Sequence, residues 1–227
     1  MSKPRVEHLG HSKNPVIIID DYVSDTKKII DYAVQQSAFN QDANSFYPGM
    51  RSRLPAEYVL DCVRPLIPHL YAIYNIPKHL TAKPVDLRYS LITRQPHELK
   101  AIQTLPHFDT PSQYTIAVLH YLNDQPHGGT GLFRHKPTGF EYINEARQQT
   151  YFDYVKNNLQ HFTPQSAAYC PANNEQYECY RELEFKLNRL VAYPGCLLHT
   201  ALVNPKTDID ANPLTGRLTA NMLLEFV

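Results

Sequence analysis

Apolar and polar positions follow two different periods along this chain, and the change of period divides it. Near the start, Val16, Ile17, Ile18 and Ile19 make a short continuous apolar run, the mark of a strand buried on both faces. Ser24 or Asp25 then offers an N-cap, and Ile29, Ile30, Ala33 and Val34 recur behind it at helical spacing. A loop, YPGMRSRLP, follows, its Pro48-Gly49 marking a turn. A second helical pattern opens near Pro55 and carries Val59, Val63, Ile67, Leu70 and Ile73. Pro65 and Pro68 each remove a donor from the helical ladder, so a kink or a split is expected there.

From residue 85 the period shortens. The segments VDLRYSLIT, the HFD stretch near 107, YTIAVLHYL, TGLFRH, RLVAYP, LLHTALV and GRLTANMLLEFV read as strands, several bounded by Gly, Pro or Asn. Seven or eight strands after two helices imply a mainly β protein of α+β type, a barrel or sandwich with helices packed on one face. Residues 141–188 interrupt the pattern and read as a helix and a long polar loop. A single domain over 1–227 with that insertion is the expectation, since sheet-rich barrels commonly reach this length undivided.

The last strand separates its faces most clearly. Leu218, Ala220, Met222, Leu224 and Phe226 share one side, while Arg217, Thr219, Asn221 and Glu225 share the other, with Leu223 between them. In LLHTALV, Leu197, His199, Ala201 and Val203 likewise fall on one side. If both polar-bearing faces look into one barrel, His199 and Arg217 point into the same cavity.

Composition narrows the partners. Lys plus Arg and Asp plus Glu both number 22, and no basic run offers a phosphate-tracking surface, so nucleic acid is not expected. No apolar stretch resembles a signal peptide or a membrane span, which points to a cytoplasmic protein. The four cysteines form no CxxC pair and read as reduced packing residues. Sixteen tyrosines, 11 histidines and no tryptophan hint at polar-tipped aromatics lining something.

Within HFD, His107 and Asp109 are two apart and point to one side of an extended backbone. With His199 they would make a two-histidine, one-carboxylate facial triad, the arrangement that suits non-haem Fe(II). The triplet by itself is equally an ordinary strand end, with His199 a satisfied core residue. Gly128, Gly129 and Gly131 read as a hairpin turn, because no Lys-Ser/Thr or helix follows them. Arg51, Arg134, His135, Tyr151 and Tyr154 lie where they either contact substrate or serve as surface and structural residues.

The order of segments, LRYSLIT, PHFDT, HYLND, HGGTGLFRH, VAYPGCLLHTALV and GRLTANMLLEF, resembles the Fe(II)- and 2-oxoglutarate-dependent oxygenases, in their prolyl-hydroxylase-like branch. The likeness spans roughly residues 85–140 and 189–226, and VIIIDDYVSD resembles the usual opening strand and helix. The YPGMR loop and GGT segment look like those of a set of uncharacterised bacterial members, which implies no substrate. The resemblance implies a double-stranded β-helix, a jelly-roll or cupin-like barrel buttressed by the N-terminal helices. It makes His107, Asp109 and His199 the metal ligands. Arg217 would pair with the distal carboxylate of 2-oxoglutarate, Thr219 would add a hydroxyl donor, and Tyr89 would reach the same carboxylate. The 18-residue step from His199 to Arg217 is longer than usual in the family.

The implied activity is a dioxygenase using Fe(II), 2-oxoglutarate and O2 to hydroxylate a small molecule, amino acid or peptide. The presence of Asp109 favours hydroxylation over halogenation, since the related halogenases lack that carboxylate. The rival is a non-catalytic cupin-like metal-binding or scaffold protein holding Zn²⁺ or no metal; Arg217 and Thr219 on one strand face argue against it, because a metal store needs no dicarboxylate anchor. A zinc hydrolase would need a general base of the HExxH kind, which is absent.

Overall fold

The computed structural model describes residues 3–42, 45–160, 163 and 167–227, so residues 161–162 and 164–166 of the 141–188 stretch lie outside the described residues. In chain order the elements are β1 (Arg5–Leu9), β2 (Asn14–Ile19), α1 (Thr26–Gln35), β3 (Asn40–Gln41), β4 (Gly49–Arg53), α2 (Ala56–Ile73) and β5 (Ala82–Ile92). Two 3-10 turns, Pro96–Glu98 and Ala101–Thr104, lead to β6 (Thr115–Tyr121) and β7 (Thr130–His135). Then come α3 (Glu145–Leu159), β8 (Tyr177–Leu183), β9 (Leu190–Pro194), β10 (His199–Ala201) and β11 (Thr219–Phe226).

The strands make two antiparallel sheets, one of eight in the order β1-β2-β9-β6-β11-β5-β4-β3 and one of three in the order β10-β7-β8. His107 adds a fourth position to the small sheet by bridging His199. From β5 onward the chain passes back and forth between the sheets, which is the double-stranded β-helix. No helix among the described residues is long and apolar enough to cross a membrane.

Alternation in β11 decides what covers the large sheet. Leu218, Ala220, Met222, Leu224 and Phe226 are all buried against Ile29 and Ala33 of α1 and Val59, Cys62, Leu66 and Leu70 of α2. At about 1.5–3 kcal/mol for each large apolar side chain taken from water, this layer is a principal source of stability. A second cluster, including Leu119, Tyr121, Leu132, Tyr193 and Leu197, fills the closed end between the sheets.

Several local expectations change. α2 runs unbroken through Pro65 and Pro68. Both prolines, and the residues Asp61 and Arg64 whose carbonyls lose their donors, are on the exposed side, where water can hydrate those carbonyls. The α1 stripe is narrower than the spacing implies: Ile29 and Ala33 are buried, Ile30 is half-buried and Val34 is exposed. The YPGMR turn is instead the start of β4, paired to β5; a Cβ on Gly49 would lie 1.9 Å from the Leu91 carbonyl oxygen, so only glycine allows that approach. The long polar loop contains β8, a regular strand of the small sheet, so the segment departing from the barrel is shorter than 141–188.

His120 of β6 is fully buried, with Nδ1 2.8 Å from the Tyr58 hydroxyl and Nε2 3.1 Å from Asn188 Oδ1. Burial pushes its pKa down to about 4. The unfolded chain protonates this ring near its ordinary 6.5, so below that pH the unfolded state binds more protons. Its contribution is therefore complete above pH 6.5 and lost as pH falls toward 4, by about 3 kcal/mol. Urea midpoints measured from pH 7 to 4.5 should fall accordingly, and His120→Gln should be less stable at pH 7 with a flatter pH slope. An equal slope in the variant would exclude His120 as a source of acid sensitivity.

Candidate metal centre

His107 reaches its place because its own backbone pairs with β10: its N–H donates to the His199 carbonyl at 2.9 Å, and the His199 N–H returns the bond at 2.8 Å. The Asp109 N–H donates to the Gly195 carbonyl at 2.7 Å, which ties the other end of HFD to the turn before β10. The two-residue spacing thus does put His107 and Asp109 on one side, facing His199.

One ligand atom from each of the three lies within 4.8 Å of the others. His107 Nε2 is 3.8 Å from Asp109 Oδ1, and His199 Nε2 is 3.8 Å from Asp109 Oδ2. His199 Nδ1 is 2.9 Å from the Leu197 carbonyl, a bond only a protonated nitrogen can donate, which leaves Nε2 as the nitrogen turned to a metal. The surrounding protein, and then His199, push the His107 pKa down, keeping that ring neutral at pH 7. Its side chain is 52% exposed toward the cavity mouth. Burial raises the Asp109 pKa while His199 and Arg51 oppose the rise, and among the described residues no Lys or Arg is ion-paired to it. Two imidazoles and one carboxylate form a donor set that fits a divalent transition metal.

The three line a cavity of about 620 Å³ between the sheets. Deeper in it sits Arg217, 3% exposed. Its Nε donates to the Gly128 carbonyl at 2.8 Å and Nη2 to the Gly129 carbonyl at 3.1 Å, between the rings of Tyr121 and Phe185. Among the described residues it has no carboxylate partner. Its mount is rigid: buried Asp208 accepts from Gly128 N at 3.1 Å, Asn204 N at 2.8 Å and Thr207 Oγ1 at 2.9 Å, and lies 3.0 Å from His127 Nδ1. The HGGTG turn therefore serves to hold this arginine.

Thr219 is buried on the cavity side of β11, its hydroxyl accepting from Asn221 Nδ2 at 3.0 Å. Tyr89 is not beside it. Tyr89 stands opposite Ala220, on the helix-facing side of the sheet, and its hydroxyl donates to the Ile29 carbonyl at 3.1 Å. The alternation Leu87, Tyr89, Leu91 already places it on the apolar face. A tyrosine hydroxyl that does lie toward Arg217 is that of Tyr47, from the loop before β4. Its hydroxyl is buried close to Arg217 and Thr219; burial raises its pKa, and the charges of Arg217 and Arg51 oppose that. Tyr89→Phe, which removes the bond to the Ile29 carbonyl, should lower the melting temperature by the loss of about 1 kcal/mol, whereas Tyr47→Phe, at the cavity, should not. The reverse pattern in thermal melts of the two variants would place the structural role on Tyr47.

Of the other residues singled out, Arg51 and Tyr151 line the cavity. Arg51 is already ion-paired to Asp86 and Asp42. Arg134 is bound to Glu141 and Glu178, and His135 is buried among the rings of Tyr151, Tyr154 and Tyr177. α3 supplies residues that no local motif marks: Gln148, Phe152 and Val155 form a cavity wall beside Phe108.

The molecule is thus a double-stranded β-helix with a His-Asp-His cluster inside its barrel. The chain belongs to the family described as Family of unknown function (DUF6445), whose model matches residues 1–224. No curated protein matches it. Among solved structures it is similar to the non-heme alpha ketoglutarate dependent epimerase SnoN from nogalamycin biosynthesis, at 11% identity and TM-score 0.44, over 93% of this chain and 76% of that one. It is also similar to a Pseudomonas putida prolyl-4-hydroxylase, at 11% identity and TM-score 0.40, over 95% and 93% of the two chains. EvdO2 from Micromonospora carbonacea var. aurantiaca, complexed with 2-oxoglutarate, matches at 10% identity and TM-score 0.42, over 99% and 93%. Likeness at this level assigns no activity.

Proposed function

We propose that the chain is a single-domain Fe(II)- and 2-oxoglutarate-dependent dioxygenase that hydroxylates a small organic substrate. The observation that carries this reading is the pairing, in one cavity, of a two-histidine, one-carboxylate cluster with a buried arginine that has no carboxylate partner among the described residues. A metal store would need the first and not the second.

In this reading His107, Asp109 and His199 would hold the metal. The guanidinium of Arg217, aligned by the Gly128 and Gly129 carbonyls, meets the distal carboxylate of 2-oxoglutarate in a site where burial strengthens the charge-assisted bond. Tyr47 and Thr219 supply hydroxyls to the same end. The bound iron would supply the redox chemistry that activates dioxygen. The balanced reaction takes R–H, 2-oxoglutarate and O2 to R–OH, succinate and CO2, one oxygen atom entering each of the alcohol and succinate. The protein's own part is to orient both organic molecules and to seal the closed end with Tyr121, Leu132, Tyr193 and Leu197.

Anaerobic titration of the metal-free protein with Fe(II) and 2-oxoglutarate tests this. A visible metal-to-ligand charge-transfer band is expected, appearing only when both are present. Tight Zn²⁺ binding with no such band under Fe(II) and 2-oxoglutarate would instead identify the scaffold alternative.

A further inference from the structure

The charged groups lining the cavity already have partners or roles, and this bears on what else enters. Arg51 is closed against Asp86 and Asp42; Asp109 belongs with the two histidines; and in the reading above, on which the present inference rests, Arg217 receives 2-oxoglutarate. The space between the metal ligands and the mouth is walled by Phe46, Ile102, Leu105, Phe108, Phe152 and Val155. Phe46 is 67% exposed and Phe152 44% exposed, large aromatic faces turned to water at the entrance. Phe152 stands 5.9 Å from Phe108, centroid to centroid, so the aromatic wall runs from the mouth to the residue between His107 and Asp109. The side chain of Gln148, on the same face of α3, makes no hydrogen bond among the described residues and offers a neutral donor and acceptor.

From this we infer that the substrate is a neutral, largely apolar small molecule, aromatic or aliphatic, with at most an uncharged polar group to meet Gln148. A charged substrate would leave water for a site with no free counter-charge, and either would bind weakly or would have to break the Arg51 pairs. Free amino acids and acidic peptides are disfavoured on this ground. The cavity volume, shared with a cosubstrate, is that of a small-molecule pocket.

The test uses the metal-free full chain with 2-oxoglutarate in excess to occupy Arg217, so that its outcome is separate from that of the iron titration. The probe is N-phenyl-1-naphthylamine, neutral and fluorescent in apolar surroundings; the absence of tryptophan leaves a clear background. Saturable single-site binding is expected, displaced by 2-naphthol and at least about tenfold more weakly by 2-naphthoate or free phenylalanine. Phe152→Asp, at an exposed position and checked for folding by circular dichroism, should weaken the probe at least about tenfold. Phe46→Asp should act in the same direction. The inference is overturned if the probe does not bind, if naphthoate or phenylalanine competes as well as naphthol, or if both Asp variants bind the probe as wild type does. A charge-transfer band with no probe binding would sink the substrate class alone; probe binding with no band would sink the iron reading alone.

Discussion

Asp109→Ala should lower Fe(II) affinity at least about a hundredfold, near 2.7 kcal/mol, and abolish succinate formation. The substitution leaves two imidazoles with no anion between them, and the cluster loses its only negative charge. The metal-free protein should not suffer, because burial already raises the Asp109 pKa: the ionised form is uncomfortable there without a cation. Its melting temperature should be unchanged or higher, while the rise that Fe(II) confers on wild type should vanish. Asp109→Asn keeps the shape and should behave like the alanine variant. Should either variant retain the full Fe(II)-dependent rise, Asp109 is not a ligand.

Arg217→Met should weaken 2-oxoglutarate roughly 10–100-fold, the 1.5–3 kcal/mol of hydrogen bonds to a charged group, while Fe(II) binding stays near wild type. Arg217→Lys should recover part of the loss, since a point charge replaces the fork without its geometry. The split between metal and cosubstrate distinguishes this arginine from a merely structural one. Unfolding would reduce both, and the two glycine carbonyls that Arg217 caps would then be the reason. If 2-oxoglutarate binding is unaffected, the anchor is another cation, and Arg51 is the other arginine lining the cavity.

The parts that were legible share a cause. HFD, LLHTA and the residues from Arg217 lie on extended backbone, where period two states which side chains share a side, so the ligand set followed once the barrel was granted. The faces of β11 were readable for the same reason. Tyr89 was misplaced because family likeness was preferred to the strand's own alternation. Tyr47 was hidden because it comes from a loop ahead of β4 and meets Arg217, 170 residues on, only through tertiary structure. β8 escaped because it is an edge strand of the small sheet with several half-exposed positions, and its apolar alternation is diluted by Glu and Arg. The unbroken α2 shows the limit of residue-type rules: proline is disruptive where its neighbours are buried, and here they face water.

One consequence concerns the order in which the chain can be made. β2 is the most apolar strand, its Val16 to Ile19 almost wholly buried, and one side of it is closed by β9, whose partner residues Leu190 to Ala192 are synthesised more than 170 positions later. On a ribosome the strand NPVIII therefore emerges long before its permanent neighbour exists. Meanwhile β1 pairs its other edge and the early helices can cover one face, but the edge that β9 will take stays open. Pairing across such a separation is slow, and an unpaired apolar strand edge is what aggregation and chaperones both recognise. The feature that seals the barrel against water in the finished molecule is thus its point of exposure while the molecule is being born.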